Sequence, residues 1–335
     1  MLPTQDAAQL SATDRFSIRF LPVSDPSREI IEDARRGLLQ RPRWLPPKYF
    51  YDAAGSALFD RICDTPEYYP TRVEHNLLRE YADEIIADAA PEMIVELGSG
   101  TARKTRRLFD ACQRNSHRPV YMPVDVSGEM LCQMGRDLVT TYPWIQVQAL
   151  SAEYTEGLDA IPETQGPRLF AFLGGSIGNF TEKEGVAFLS EVRQRIEDQD
   201  CLLLGVDRVK EPAVLHAAYN DAQGITAQFN LNLLQVLNRE LDADFELSGF
   251  QHHACYRPDF QQIEMYLVSV RDQLVTIGAL DDALEFPAGE PIRTEISRKF
   301  TPETLTVLLN DAGFELQRHI QPENGYFTLL LARPA

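Results

Sequence analysis

Short apolar runs alternate with helix-periodic segments between residues 93 and 206, and few folds accommodate that alternation. The runs of strand type occupy residues 93–97, 121–125, 145–150, 168–173 and 201–206. Strands separated by helices predict an α/β fold, with a parallel sheet, right-handed crossovers and helices on both faces. Ligands of such sheets bind at the carboxyl ends of the strands. A binding site is therefore predicted where these five runs end.

The segments outside this alternation have other patterns. Residues 212–241 are helix-periodic and residues 245–286 are strand-like, which indicates an insert over residues 207–297 after the fifth strand. Residues 301–331 predict a helix followed by an antiparallel hairpin appended to the sheet. Residues 1–13 have no periodicity and are predicted to be frayed.

The first apolar run ends in a turn built on Gly98 and Gly100, and the next helix is predicted to begin near Thr101. Such a turn brings backbone N–H groups close to a bound ligand. A dinucleotide fingerprint requires a third glycine where this chain has Arg103. An NAD-dependent oxidoreductase is therefore disfavoured. A plain strand-to-helix turn without a ligand is the remaining alternative.

Two acids favour S-adenosylmethionine as the ligand of this turn. Glu96 precedes the first glycine, where a carboxylate would repel phosphates but would suit a ligand with sulfonium and ammonium groups. Asp125 ends the next predicted strand, and its carboxylate can accept hydrogen bonds from both ribose hydroxyls. Together with the glycine turn, these acids predict a cofactor site.

The net charge of −18 argues against nucleic acid or an anionic membrane as a partner, because both require a basic surface. A small polar or cationic substrate fits better. The five cysteines are scattered without a CxxC pair, and no stretch approaches membrane-spanning length, so a soluble cytosolic protein is expected. No spacing of the six histidines predicts a metal site. Because no symmetric apolar patch is evident, we expect a monomer.

Five blocks of sequence carry a resemblance to a known family. They are LPPKYFYD at 45–52, PEYYPTR at 66–72, VELGSGT at 95–101, LGGSIGNF at 173–180 and RTEIS at 293–297. Together they resemble the histidine-specific N-alpha-methyltransferases of ergothioneine biosynthesis, and the likeness runs from about residue 46 to the C-terminus. The resemblance implies three successive methyl transfers from S-adenosylmethionine to the α-amino group of L-histidine, giving hercynine.

The resemblance also implies two domains with both ligands between them. A Rossmann-type methyltransferase domain would comprise residues 75–206 and 298–335. An α+β substrate-binding domain would comprise residues 14–74 and 207–297. The partners implied are L-histidine and its mono- and dimethylated forms.

Cofactor-binding roles follow from the resemblance by matching position. Gly98 and Gly100 would approach the cofactor, Lys104 would help to hold its methionine end, and Asp125 would bind the ribose. Glu153 and Tyr154 would flank the adenine. Relatives more often have an Asp-Phe pair at that place, so this chain departs from the family pattern there.

Substrate-binding roles follow in the same way. Tyr51, Tyr68 and Asn179, the implied catalytic residues, would surround the amine and carboxylate, with Gly174 beside them. The resemblance assigns Tyr219 to the carboxylate, Glu295 and Ser297 to the imidazole nitrogens, and Met265 to packing beside the ring. From the residues alone, Glu295 would instead be a surface acid and Met265 a core side chain.

The reaction has requirements that these residue types satisfy. Methyl transfer from sulfur needs a neutral amine aimed along the C–S axis, so alignment contributes much of the rate. Tyrosine hydroxyls and an asparagine amide can orient an amine without adding charge. No dedicated strong base is evident, so the amine is expected to lose its proton to water or through the tyrosines. A buried Glu295 would require the donor that an imidazole N–H supplies.

Two other functions are weighed against this one. Relatives of the family methylate tryptophan or a prenylated tryptophan, but an indole would favour a smaller residue than Met265 and no carboxylate at Glu295. A non-catalytic nucleotide-binding module has no need for the tyrosine-rich loops or for Asn179. Both alternatives are therefore ranked below histidine methylation.

Overall fold

The computed structural model describes residues 14–21 and 26–335. Residues 1–13, predicted above to be frayed, lie outside that part. In the described residues the helices are α1 (Pro26–Leu38), α2 (Ala53–Cys63), α3 (Tyr69–Ala89), α4 (Arg106–Arg114), α5 (Gly128–Thr141), α6 (Tyr154–Gly157), α7 (Glu182–Arg195), α8 (Pro212–Tyr219), α9 (Ile225–Leu241) and α10 (Pro302–Asp311).

The strands alternate with these helices in the first two thirds of the chain and then become consecutive. In the same residues they are β1 (Phe16–Phe20), β2 (Arg43–Trp44), β3 (Met93–Leu97), β4 (Val120–Asp125), β5 (Gln146–Ser151), β6 (Arg168–Phe172), β7 (Cys201–Asp207), β8 (Phe250–Arg257), β9 (Gln262–Ser269), β10 (Gln273–Ile277), β11 (Asp282–Phe286), β12 (Pro291–Arg298), β13 (Phe314–Ile320) and β14 (Phe327–Pro334).

The larger sheet has the order β1-β5-β4-β3-β6-β7-β14-β13 among the described residues. Its first six strands pair in parallel, whereas β14 is antiparallel to both β7 and β13. The predicted parallel sheet and its appended hairpin are thus confirmed. From β3 the chain builds outward through β4 and β5 and then returns to β6 on the other side. The carboxyl ends of β3, β4 and β6 meet at this reversal, where ligands of α/β sheets bind.

Buried apolar side chains cover both faces of the larger sheet. Residues of α3, α4 and α5 pack on one face, and residues of α7 and α10 pack on the other. Strand β3 is buried along its whole length, as expected for a central parallel strand covered on both sides. The α/β fold class predicted from the alternation is therefore confirmed.

A smaller sheet of order β2-β12-β9-β8 has a core of its own, shared with α1, α8 and α9. Strand β12 pairs antiparallel with β9, and a register shift lies between Arg293 and Glu295. Helix α3 connects the two cores, because Tyr69 packs in the core of the smaller sheet whereas Leu77 packs in that of the larger sheet.

Two predicted boundaries are wrong. Residues 14–74 were grouped with the substrate-binding segment, but Phe16–Phe20 pairs with β5 at the edge of the larger sheet. Helix α3 begins at Tyr69 with Pro70 in its first turn, where a proline gives up no helical hydrogen bond, and this start agrees with the sequence pattern. Helix α4 begins at Arg106 and not near Thr101. Beyond the β1 correction, the division into two domains stays a prediction.

Candidate active site

The glycine turn after β3 leaves open space above its backbone. Gly98 and Gly100 have φ angles of 70° and 51°, in the left-handed region that favours glycine. The Gly98 N–H donates to the Val124 carbonyl at 2.9 Å, which ties the turn to β4. A Cβ atom added at either glycine would meet no atom within 4 Å. A ligand can therefore approach the backbone at both predicted positions.

Glu96 supports this turn from beneath and does not face the ligand that the sequence predicted for it. Its side chain is buried, and its two oxygens accept hydrogen bonds from Thr105 Oγ1 and the Tyr121 hydroxyl. Burial raises the pKa of Glu96 to about 7. Ala102 also has a positive φ of 53°, so the chain continues as a loop as far as Thr105. This loop explains the late start of α4.

Asp125 lies directly beside the glycine turn, as predicted. Its Oδ2 accepts the Gly100 N–H at 2.9 Å, and its Oδ1 accepts the Ser127 N–H at 3.1 Å. Burial raises the pKa of Asp125 despite these hydrogen bonds. Each carboxylate oxygen has further lone pairs, so the side chain can also accept hydrogen bonds from a ligand.

Glu153 lies at the start of α6, after β5. Its carboxylate accepts a hydrogen bond from Lys48 Nζ at 3.2 Å, and burial raises its pKa. Lys48 lies in the short 3-10 helix before α2, so this contact ties the N-terminal segment to the start of α6. The side chain of Tyr154, predicted to flank adenine, lies outside the described part.

Lys104 forms an ion pair with Glu74, a residue that the sequence analysis missed. The Glu74 carboxylate is fully buried and also accepts the Gly174 N–H, at 2.8 and 3.0 Å from its two oxygens. This pair joins α3, the glycine turn and the loop after β6. The available signal was the position of Glu74, three and four residues before Leu77 and Leu78 on the apolar face of α3.

Asn179 and Glu295 connect the two sheets. Asn179 lies in a short 3-10 helix after β6, and its Nδ2 donates to Glu295 Oε1 at 2.8 Å and to the Ile296 carbonyl at 2.9 Å. Glu295 lies directly opposite Met265 in the β12–β9 ladder, so the two side chains share one face. Burial raises the pKa of Glu295 to about 6, although the Asn179 hydrogen bond opposes that rise.

Two predicted substrate residues, Tyr219 and Ser297, belong to a buried cluster. The Tyr219 hydroxyl donates to Ser297 Oγ at 2.8 Å, and Lys299 Nζ contacts both oxygens. Lys299 pairs in turn with Asp207 at 2.9 Å. The sequence analysis missed both charged residues. Asp207 ends β7, however, and the strand-end rule that found Asp125 would have found it too.

Aromatic rings form one wall of the site. The Tyr51 ring contacts those of Phe59 and Phe229, with centroids 5.7 and 5.8 Å away. The Tyr68 ring lies 6.3 Å from that of Tyr219. Burial makes the largest contribution to the raised pKa of the Tyr68 phenol. Nearby groups, including Tyr219, Tyr51 and Glu295, raise that pKa further. Tyr68 and Tyr219 therefore lie side by side, within the electrostatic influence of Glu295.

These groups define a class of protein. The open glycine turn and the acceptor Asp125 fit the ribose and the methionine part of S-adenosylmethionine, and the missing third glycine disfavours a dinucleotide. A parallel sheet with an antiparallel hairpin at its edge carries both features. The chain is an S-adenosylmethionine-dependent methyltransferase. Among the described residues, no helix is sufficiently long and apolar to cross a bilayer.

Comparison with known proteins gives the family. The sequence model of one protein family, the histidine-specific, S-adenosylmethionine-dependent methyltransferases, matches residues 30–334. The chain therefore belongs to that family. This result confirms the resemblance carried by the five sequence blocks. A histidine N-alpha-methyltransferase of Mycolicibacterium smegmatis is 43% identical over 313 residues, which cover 93% of this chain and 97% of the relative.

Two further matches are a second sequence relative and a solved structure. A histidine N-alpha-methyltransferase of Mycobacterium tuberculosis is 42% identical over 300 residues, covering 90% of this chain and 93% of the relative. Among solved structures, the CcbJ methyltransferase from Streptomyces caelestis aligns with a TM-score of 0.45 at 14% identity, covering 77% of this chain and 95% of that one.

Proposed function

We propose that this methyltransferase transfers three methyl groups in succession to the α-amino group of L-histidine, forming hercynine. The substrates are then L-histidine and its mono- and dimethylated forms, and the working state is a cytosolic monomer. The observation that carries the proposal is the hydrogen bond from Asn179 to Glu295, because it sets a group suited to an amine beside a carboxylate suited to an imidazole N–H. The high similarity to histidine N-alpha-methyltransferases supports the same substrate.

S-adenosylmethionine supplies a methyl group bonded to a positively charged sulfur. Asp125 would hold the ribose beside Gly98 and Gly100, and Lys104 would hold the carboxylate of the methionine part. Glu153 would lie at the adenine.

Asn179 can orient the amine only through its carbonyl oxygen. Both N–H groups of its amide are engaged, one by Glu295 and one by the Ile296 carbonyl. The remaining polar atom, Oδ1, is an acceptor and can receive an N–H from the substrate amine. An uncharged amine held in this way keeps its lone pair for attack, and the neutral amide adds no charge beside it. Alignment of that lone pair is the main contribution of the protein to the rate.

The other implied roles divide the substrate between the two sheets. Tyr51 and Tyr68 would surround the amine with neutral hydroxyls, with the Gly174 backbone beside them. Tyr219 would hold the carboxylate. On the side of the smaller sheet, Glu295 and Ser297 would bind the ring nitrogens, and Met265 would pack against the ring.

The proposed reaction is tested by incubating the protein with S-adenosylmethionine and each of the twenty amino acids, followed by mass spectrometry. The expected result is a gain of three methylene masses on histidine alone. A gain in mass on tryptophan instead would indicate the related specificity, methylation of the tryptophan amine. Binding of S-adenosylhomocysteine and histidine without any methylated product would favour a non-catalytic module.

Removal of the Tyr51 hydroxyl tests the proposed proton route through the tyrosines. We expect Tyr51→Phe to slow methyl transfer by about tenfold to a hundredfold, because the substrate amine loses a hydroxyl that orients it and relays its proton to water. Single-turnover rates of each methylation step measure the effect. Tyr142→Phe is the matched control, because its hydroxyl donates to Asp110 away from the site. Unchanged rates in Tyr51→Phe would remove Tyr51 from the route.

A further inference from the structure

Strand β12 has one residue more than its partner strand at the place where it presents Glu295. Arg293 pairs with Tyr266 and Glu295 pairs with Met265, so residues two positions apart in β12 face neighbouring residues of β9. Thr294 is therefore the extra residue of a β-bulge. Neighbouring residues of a strand point to opposite faces, so the bulge turns Glu295 to the face opposite that of Arg293. The bulge thus determines which face of the smaller sheet carries this acid.

Asn230 of α9 bonds to both strands at the bulge. Its side chain is fully buried. Its Nδ2 donates to the Tyr266 carbonyl of β9 at 2.9 Å, and its Oδ1 accepts a hydrogen bond from Thr294 Oγ1 of β12 at 2.7 Å. Side chains next to a bulge can hold the irregular position, because the regular ladder is interrupted there. One amide therefore holds the two strands together where their register changes.

Two backbone carbonyls fix the directions of the hydrogen bonds that lead on from Asn230. The Tyr266 carbonyl can only accept, so the amide cannot be turned the other way round. Its second N–H therefore points at His252 Nδ1, 2.9 Å away. His252 Nε2 lies 2.9 Å from the Tyr219 carbonyl, which also only accepts. His252 is thus neutral with its proton on Nε2, and burial lowers its pKa in the same sense. In the resulting network of Thr294, Asn230 and His252, no donor faces another donor.

This network joins the two parts of the site that would bind the two ends of the substrate. Thr294 directly precedes Glu295, the acid assigned to the imidazole ring. Tyr219 is the last residue of α8, and its hydroxyl is assigned to the substrate carboxylate. The hydrogen of a hydroxyl group rotates, so the Tyr219 proton can leave Ser297 for that carboxylate. The network therefore connects the strand of the ring-binding acid with the helix end of the carboxylate-binding tyrosine.

We propose that Asn230 is a positioning residue that sets the distance between Glu295 and Tyr219 for a substrate that must reach both. The inference rests on the proposed function, which assigns one end of the substrate to each of these groups. Asn230 contacts the β12 side through Thr294 and the α8 side through His252. Without its amide, the two sides lose their common hydrogen-bonded link. A ligand that bridges both groups then binds less tightly, whereas a ligand that needs only the ring-binding group can move with it.

The test compares L-histidine with histamine, which lacks only the carboxylate. Ligand-observed NMR measures both dissociation constants for the full chain with S-adenosylhomocysteine bound. Asn230→Ala is expected to weaken L-histidine binding by about tenfold or more and to change histamine binding by less than about twofold. Equal losses for the two ligands would show a merely structural role and would overturn the inference, as would unchanged binding of L-histidine.

The matched control is Asn238→Ala, the same change on the same helix. The Asn238 amide bonds to the N–H and the carbonyl of Phe245 and to no member of the network, so both dissociation constants should stay at their wild-type values. If Asn230→Ala does not fold, Thr294→Val removes only the hydroxyl that donates to Asn230. It should weaken L-histidine binding by about threefold or more and spare histamine. Loss of both ligands to the same degree in this variant would refute the proposal.

A double variant shows whether Asn230 acts through Tyr219. In a Tyr219→Phe background, Asn230→Ala should cause no further loss of L-histidine affinity, because the contact with the carboxylate is already gone. An additive loss would overturn the inference and leave the proposed function intact. Failure of the wild-type chain to bind L-histidine would instead overturn the proposed function, and the inference with it.

Discussion

Glu295→Ala is expected to lower kcat/KM for L-histidine by about two to three orders of magnitude, with most of the loss in KM. The variant removes the acceptor for the ring N–H and leaves one N–H of Asn179 without its partner. A site built to hydrogen-bond a substrate loses discrimination steeply when one partner disappears, because the other polar groups stay buried and unpaired. Steady-state kinetics at saturating S-adenosylmethionine measure the loss.

The control for this variant is Glu295→Gln, which preserves volume and an oxygen for Asn179. Its amide N–H₂ would meet the ring N–H donor to donor, so kcat/KM should also fall, although the hydrogen bond between the sheets survives. Equilibrium binding of S-adenosylhomocysteine should be unchanged in both variants, because the cofactor residues lie on the larger sheet. A Glu295→Ala enzyme with the wild-type KM for histidine would show that this carboxylate does not bind the imidazole ring.

The charge state of Glu295 gives the same prediction a pH dependence. Its pKa is raised to about 6, so the carboxylate is ionised above that pH and gains a proton below it. A protonated Glu295 loses most of its power to accept the ring N–H. Histidine affinity should therefore decrease as the pH falls through about 6, whereas in Glu295→Gln this contribution to the pH dependence should be absent.

The larger sheet was predictable from the sequence because its signals are local. Each parallel strand is a short apolar run, and the helices between them have clear caps, such as Thr181 at the start of α7. Asp125 was found because a residue at the end of a central strand faces the site by topology alone. Strand β1 was missed as part of this sheet, because the sequence of a five-residue edge strand does not indicate which strand it pairs with.

The polar contacts of the site were less predictable, because their members are far apart in the chain. Glu74 and Gly174 are separated by 100 residues, and Asn179 and Glu295 by 116. Their contacts depend on how α3 and β12 pack against the larger sheet. The sequence pattern identifies an acidic residue on an apolar helix face, but it does not identify the group with which that acid pairs. The resemblance supplied Asn179 and Glu295, whereas Glu74, Asp207 and Lys299 emerged only from the packing.

Asn179→Asp is expected to lower kcat/KM by about a thousandfold at about pH 8, the largest effect anticipated for one atom pair. The change replaces the Nδ2 donor, 2.8 Å from Glu295 Oε1, with a carboxylate oxygen. Two carboxylates at that separation cannot both be ionised in a buried place, and the donors to Glu295 and to the Ile296 carbonyl are lost together. Initial rates across a pH series measure the change.

The pH dependence of this variant distinguishes repulsion from simple loss of contact. Like charge raises the pKa of the pair above the value of about 6 for Glu295 alone, so one shared proton is taken up as the pH falls. The ratio of Asn179→Asp activity to wild-type activity should therefore rise between about pH 8 and about pH 6. Asn179→Ala removes the same donors without adding a charge. Because loss of the Asn179 hydrogen bond raises the pKa of Glu295 further, its ratio should fall over the same range.

This comparison tests whether the hydrogen bond between the two sheets exists in the working enzyme. If it does, only the aspartate variant carries two facing acids, and a proton restores part of the geometry that aligns the amine. Thermal unfolding of both variants should confirm that they fold, since the bond lies at the edge of the site and not within either core. Parallel pH profiles for Asn179→Asp and Asn179→Ala would mean that the two side chains separate when substrate binds, and the amine would then need another orienting group.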